Sequence, residues 1–132
     1  MDITRKKRVE SLILNELSVK TRELKDPRIS LFSFTRADLT QDGSQVTLYI
    51  SLIDEKKFED NKTEDDLIEI KRKTKDCLNG LTSSSGFLRR HLAKILTMKN
   101  IPHILFKEDK GLENTVRVHE LLKQIAKTNR SE

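Results

Sequence analysis

The chain has 132 residues, 35% hydrophobic and 36% charged, with 26 Lys and Arg against 21 Asp and Glu, a net charge of +5 and a pI of about 9.4. That length reads as one domain, 1–132, and Leu, Ile, Val and Phe at roughly 30% suit a modest core and not a disordered chain. No apolar run nears the ~18–20 residues of a membrane span, no secretory signal is legible, and the lone Cys77 rules out a disulfide framework, so a cytoplasmic, reduced, monomeric protein with polyanionic partners is expected.

Val9, Leu12, Ile13 and Leu17 recur at spacings of three and four, with Leu24 two turns on. This predicts an amphipathic helix from about Thr4 to Lys25. Asp26-Pro27 stops it, because the residue before proline avoids helical dihedrals. Residues 29–39 are then rich in aromatic, β-branched and hydroxyl side chains, with Phe32 and Phe34 on one face. Val46, Leu48, Ile50 and Leu52 alternate with Thr47, Tyr49, Ser51 and Ile53, the period of a strand. Between the two runs Gln41-Asp42-Gly43-Ser44 offers the positive-φ chemistry of a tight hairpin, so an antiparallel pair is expected.

Residues 54–66 interleave acids with Lys56, Lys57 and Lys62 and read as a mobile, solvated acidic loop. Thr63 followed by Asp66 marks a helix start. Leu67, Ile70, Thr74, Cys77, Leu78 and Leu81 line one face of that helix, and Lys71, Arg72, Lys73 and Lys75 crowd the others. Ser83-Ser84-Ser85-Gly86 interrupts it with poor helix-interior residues, yet the pattern resumes at Leu88, Leu92, Ile95 and Leu96. Two helices joined by a kink are predicted, the second capped by a serine. Asn100 and Pro102 end it, Ile104 and Phe106 mark a third strand, and Asp109-Lys110-Gly111 a turn. Val118, Leu121, Leu122 and Ile125 predict a last helix, with 127–132 as a frayed tail and 4–126 as the ordered part. The order helix, strand, strand, helix, kink, helix, strand, helix gives an α+β domain with helices on one face of a three-stranded sheet.

Catalytic signatures are missing. Four glycines are too few for a phosphate-cradling loop, and the serine run lacks the flanking glycines of a nucleophile elbow. The carboxylates of 54–66 sit in a loop poorly suited to hold them for acid–base work. Cys77 lies on an apolar stripe, as a small core residue does. His91, His103 and His119 are scattered without ligand spacing, so no metal and no cofactor is expected. His91, beside Arg90 and near Lys94, reads as a surface histidine, with contact to a phosphate as the alternative.

The basic residues carry more information. Lys71, Arg72, Lys73, Lys75, Arg89, Arg90, Lys94 and Lys99 face a single acid, Asp76, over 71–99. Arg89 and Arg90 fall in the first turn of the second helix of the kinked pair, where cations oppose the macrodipole. Two arginines kept at a positive helix end suggest a bound anion. Arg5, Lys6, Lys7 and Arg8 make a second basic group. Aromatic residues are only 5% and tryptophan is absent, which favours recognition of phosphate and shape over base stacking.

From Thr4 to Ile125 the chain resembles the bacterial ribosome-binding factor A family, a type II KH-like domain. The resemblance rests on Arg5-Lys6-Lys7-Arg8-Val9, Glu23-Leu24-Lys25-Asp26-Pro27-Arg28, Val46-Thr47-Leu48-Tyr49-Ile50-Ser51, Ser84-Ser85-Gly86-Phe87-Leu88-Arg89, Ile101-Pro102 and Leu105-Phe106-Lys107-Glu108-Asp109. The family's Ala-x-Gly interruption, which stands where other KH domains carry Gly-x-x-Gly, has Ser84 here in place of alanine and keeps Gly86. The resemblance implies a non-catalytic assembly factor that binds the immature small ribosomal subunit and its RNA and assists maturation of the RNA ends. It further implies links to cold adaptation and release by an assembly GTPase. The RNA-binding residues expected are Arg5, Lys6, Lys7, Arg8, Arg28, Lys73, Ser84, Ser85, Gly86, Arg89, Arg90 and Lys94. Asp26 and Pro27 read as a structural turn, and Arg28 fits either role. A general KH-like RNA-binding module and a protein-interaction domain remain the alternative readings.

Overall fold

The computed structural model describes residues 1–111. Its elements are α1 (Ile3–Lys20), β1 (Phe32–Leu39), β2 (Gln45–Leu52), α2 (Glu64–Ser83), α3 (Ser85–Ile95) and β3 (His103–Glu108), with short 3-10 turns at Thr21–Glu23 and Glu55–Phe58. The helix expected around Val118 to Ile125 and the tail at 127–132 lie outside the described residues. The strands form one mixed sheet in the order β1-β2-β3, antiparallel between β1 and β2 and parallel between β2 and β3. The α+β order read from the sequence therefore holds through β3.

Apolar spacing explains the layering. Ile13 and Leu17 of α1, Cys77 and Leu81 of α2, and Leu88 and Leu92 of α3 are fully buried against Leu39, Val46, Leu48 and Ile50 of the sheet. Each such Leu, Ile or Val side chain is worth about 1.5–3 kcal/mol on burial. The central strand β2 is buried along most of its length, with Thr47 and Ser51 also covered on its opposite side. Leu67, assigned to the buried stripe of α2, is half-exposed in the helix's first turn.

Local chemistry sets the ends of the elements. Asp2 caps α1 by accepting from the Thr4 amide at 3.0 Å. The α-helix stops at Lys20, earlier than the proline requires, because the chain tightens into a 3-10 turn while Thr21 Oγ1 donates to the Leu17 carbonyl at 2.8 Å. The hairpin turns at Gly43, whose φ of 73° favours glycine. At α2, Thr63 and Asp66 form the reciprocal capping box.

The 54–66 segment departs from a freely solvated loop. Its 3-10 turn buries Lys57, which is only 3% exposed and donates to Ser51 Oγ at 2.9 Å. Asp54 accepts from the Lys56 amide and pairs with Lys73 at 3.3 Å, while Lys56 pairs with Asp66 at 3.3 Å. The lysines among the acids thus dock the segment onto the sheet and onto α2.

β1 carries a bulge. Phe34 pairs with Ile50 and Arg36 with Tyr49, leaving Thr35 as the extra residue. The slip keeps Phe32 and Phe34 before it, and Ala37 and Leu39 after it, on the core side.

Candidate nucleic-acid interface

The kink forms at Ser84, whose φ of −94° and ψ of 3° leave the helical region for a single residue. Neither neighbouring hydroxyl caps α3. Ser84 Oγ donates back to the Gly80 carbonyl at 3.1 Å and Ser85 Oγ back to the Thr82 carbonyl, so both serve the carboxyl end of α2. This corrects the expectation of a serine cap: the last carbonyls of α2 compete successfully for the hydroxyls. The positive end of α3 is left without a side-chain cap.

The tight approach lies not at Gly86 but at Gly80, before the kink. A Cβ on Gly80 would stand 2.7 Å from Ile29 Cγ1 and 3.4 Å from Arg28 Cβ and Asp26 Cγ, whereas a Cβ on Gly86 would meet nothing nearer than Arg90 Nη1 at 3.8 Å. Gly80 therefore lets α2 lie against the turn at 26–29. Arg28 clamps that turn: its guanidinium lies bidentate on Asp26, with Nη2 2.7 Å from Oδ2, and reaches across to Ser83 Oγ at 3.0 Å. These hydrogen bonds hold the Asp26 carboxyl down at about 2.

The paired arginines separate. Arg89 turns inward, donating from Nε to the Pro102 carbonyl at 3.2 Å and from Nη2 to the Ile101 carbonyl at 2.9 Å. It ties α3 to the entry of β3. Arg90 is exposed on the opposite side and folds back over Gly86, and Lys94 is exposed one turn further on. A wheel of about 100° per residue centred on Leu88, Leu92 and Ile95 separates the two arginines in the same way.

Helices α1 and α3 run antiparallel, as two contacts four residues apart on each helix show. His91 Nε2 lies 3.1 Å from Glu16 Oε2, and Lys20 Nζ stands 5.2 Å from the Phe87 ring centroid. Lys20 also pairs with Glu23 at 2.8 Å and lowers that carboxyl's pKa. His91 is thereby engaged with a carboxylate. The start of α1 consequently lies beyond the far end of α3, where Arg5 and Lys99 line one shallow hollow with Gln41–Gly43 and Met98.

With Arg89 turned inward, the other expected site residues fall into three groups. Ser84, Ser85, Gly86, Arg90 and Arg28 meet at the kink, with Lys94 leading away from it. Arg5, Lys7 and Arg8 are exposed at the other end of α1, and Lys6 is half-buried 3.9 Å from Asp38. Lys73 stands apart, paired with Asp54 and, at 3.7 Å, with Glu69. Lys20, Phe87 and Gly80 complete the kink region and were not among the residues expected at the site. A glycine on the buried stripe of a helix, which costs about 1 kcal/mol there, was the available sign for the last of these.

The family model described as ribosome-binding factor A matches residues 5–122. The chain belongs to the ribosome-binding factor A family. A ribosome-binding factor A from Fervidobacterium nodosum is 32% identical over 130 residues, covering 96% of this chain and 92% of its own. The solution structure of a family candidate from Thermotoga maritima superposes with a TM-score of 0.63 at 28% identity, covering 84% of this chain and 92% of that one. A Thermus thermophilus ribosome-binding factor A homology model, fitted into the cryo-EM map of a 30S complex, gives a TM-score of 0.53 at 22% identity over 77% of this chain and 92% of its own. The KH-like fold of the family is the fold found here. Among the described residues of this family member, no helix is long and apolar enough to cross a membrane.

Proposed function

We propose that the chain is a non-catalytic assembly factor that docks on the immature small ribosomal subunit through phosphates of its RNA. In this reading it assists late maturation and processing of the 16S RNA. It works as a cytoplasmic monomer, including during growth in the cold, and leaves with the help of an assembly GTPase. One observation carries the phosphate contact: Arg90 and Lys94 project outward from α3, whose positive end has no side-chain cap, and neither has an ion-pair partner among the described residues. Anions are attracted both to free helix N-termini and to unpaired guanidinium groups. Family membership and the 30S complex of the Thermus relative support the choice of particle.

The test is co-sedimentation with small subunits, large subunits and free ribosomal RNA at matched salt. Binding is expected on the small subunit, with Arg90→Glu combined with Lys94→Glu weakening it by at least about tenfold and leaving the melting temperature unchanged. Arg89→Ala is expected to behave otherwise. It removes two charged hydrogen bonds to carbonyls and costs about 1.5–3 kcal/mol of stability per such bond at most. Equal binding to all three samples would reduce the protein to a general RNA-binding module. Undiminished binding by the Arg90/Lys94 variant would remove the site.

A further inference from the structure

We infer that the open edge of β1 is a docking site for an extended segment of a partner protein, which adds as a fourth strand and sets an apolar side chain into the adjoining cleft. β1 is an edge strand, and its two ends are treated differently. At one end Glu10 of α1 reaches over and accepts from the Leu39 amide at 2.7 Å, closing the edge. At the other end α1 gives way to its 3-10 turn, and a cleft of about 570 Å³ opens beside Phe32 and Phe34.

The register shows which backbone groups face that cleft. The Leu31 carbonyl accepts from the Ile53 amide, so Leu31 bonds inward to the neighbouring strand, and Ser33, opposite Ser51, does the same two residues later. Phe32 and Phe34 therefore turn their N–H and C=O groups outward, away from β2. The same alternation, restarted after the bulge, turns Leu39 outward, as its bond to Glu10 confirms. An unprotected pair of outward residues is what strand addition requires.

The cleft's chemistry selects a peptide. Leu24, Ile29, Leu31 and Ile53 give it apolar walls, and Leu31 and Ile53 are 69% and 52% exposed, large apolar side chains left open at a strand edge. A single cation, Arg22, stands on its rim without an ion-pair partner among the described residues. One cation and two half-buried rings, Phe32 and Phe34, set edge to face make a poor track for a nucleic-acid strand, which needs a charged groove and open ring faces. They fit an extended segment with alternating apolar residues and a carboxylate beside them. The site is distinct from the Arg90–Lys94 surface, which belongs to α3.

A random peptide library displayed on phage and selected on the full chain provides the probes, with amide NMR shifts locating them. Selected peptides are expected to alternate apolar residues, to carry Asp or Glu, and to shift the amides of Phe32, Phe34 and Ile53. Arg22→Glu should weaken them about fivefold, the size of one exposed ion pair, and a new selection should favour Lys or Arg. Leu31→Lys, at an exposed position, should weaken them further with the fold intact. Peptides that shift only other regions, an absence of selected peptides, or a uridine-rich RNA oligomer that produces the same shifts and displaces them would each overturn the proposal.

Discussion

At the scale of single residues, the two glycines near the kink do opposite things. Gly80 is packed so closely on Ile29 that a methyl group must displace it, and the neighbouring turn is held by the Arg28–Asp26 clamp. Alanine would gain about 1 kcal/mol of helix propensity there, but overpacking costs about 1–3 kcal/mol. Gly80→Ala is therefore expected to lower the melting temperature, and a denaturation cycle with Ile29→Ala should recover part of the loss. Gly86 is exposed, and a Cβ there would make only an ordinary contact at 3.8 Å with the end of the Arg90 side chain, so Gly86→Ala should be neutral or raise stability by up to about 1 kcal/mol. A destabilised Gly86→Ala protein would show that the close approach had been placed at the wrong glycine. The interruption itself was plain in the run Ser83-Ser84-Ser85-Gly86. What the sequence could not tell is which glycine meets another segment, since Gly80 matters only because the distant Ile29 arrives beside it. Arg89 and Arg90 are the counterexample: the wheel of α3 already separated them, and reading them as a pair overlooked that spacing.

At the scale of elements, the joints are held by carboxylates. Asp26 holds the turn between α1 and β1, Asp42 the hairpin, Asp66 the start of α2 by accepting from the Thr63 amide, and Asp109 the end of β3, where Thr35 Oγ1 donates to it at 2.6 Å. Hydrogen bonds to each lower its pKa, to about 2 for Asp26, from the Arg28 side chain, and for Asp42, chiefly from the Ser44 and Thr40 hydroxyls. A carboxyl held below its unfolded value of 3.8 adds stability that is complete above that value and disappears as pH falls through the folded value near 2. Stability measured by urea denaturation should accordingly decline from about pH 4 to about pH 2. Asp26→Asn should flatten part of that decline and lower the midpoint at neutral pH. An unchanged pH profile in that variant would mean the clamp contributes nothing. These joints were partly legible, because Asp-Pro, Asp-Gly and Thr-x-x-Asp are local signals. The bulge in β1 was not read, although the step from Phe32 and Phe34 to Ala37 and Leu39 breaks the alternation. The docking of Lys57 on Ser51 was not legible, because an isolated lysine among acids looks solvated until the sheet is in place.

At the scale of the whole molecule, the antiparallel run of α1 and α3 decides how the cations are spread. The kink group and the Arg5–Arg8 group stand about 20 Å apart, the length of the α1 segment between them, with Lys94 and Lys99 along the way. At that separation the two groups share no partner, and losses of binding free energy should add within about 0.5 kcal/mol if one RNA surface engages both. Neutral replacements test this without introducing repulsion. Arg90→Gln with Lys94→Gln, and separately Arg5→Gln with Arg8→Gln, should each reduce the slope of log affinity against log salt by about 1.5–2 on the small subunit. The quadruple variant should reduce it by the sum. A pair whose replacement leaves the slope unchanged makes no phosphate contact, and the footprint then contracts to the other end of the molecule. A combined loss much smaller than the sum would instead mean that the two ends compete for the same phosphates, which a rigid separation of about 20 Å does not permit within one bound pose.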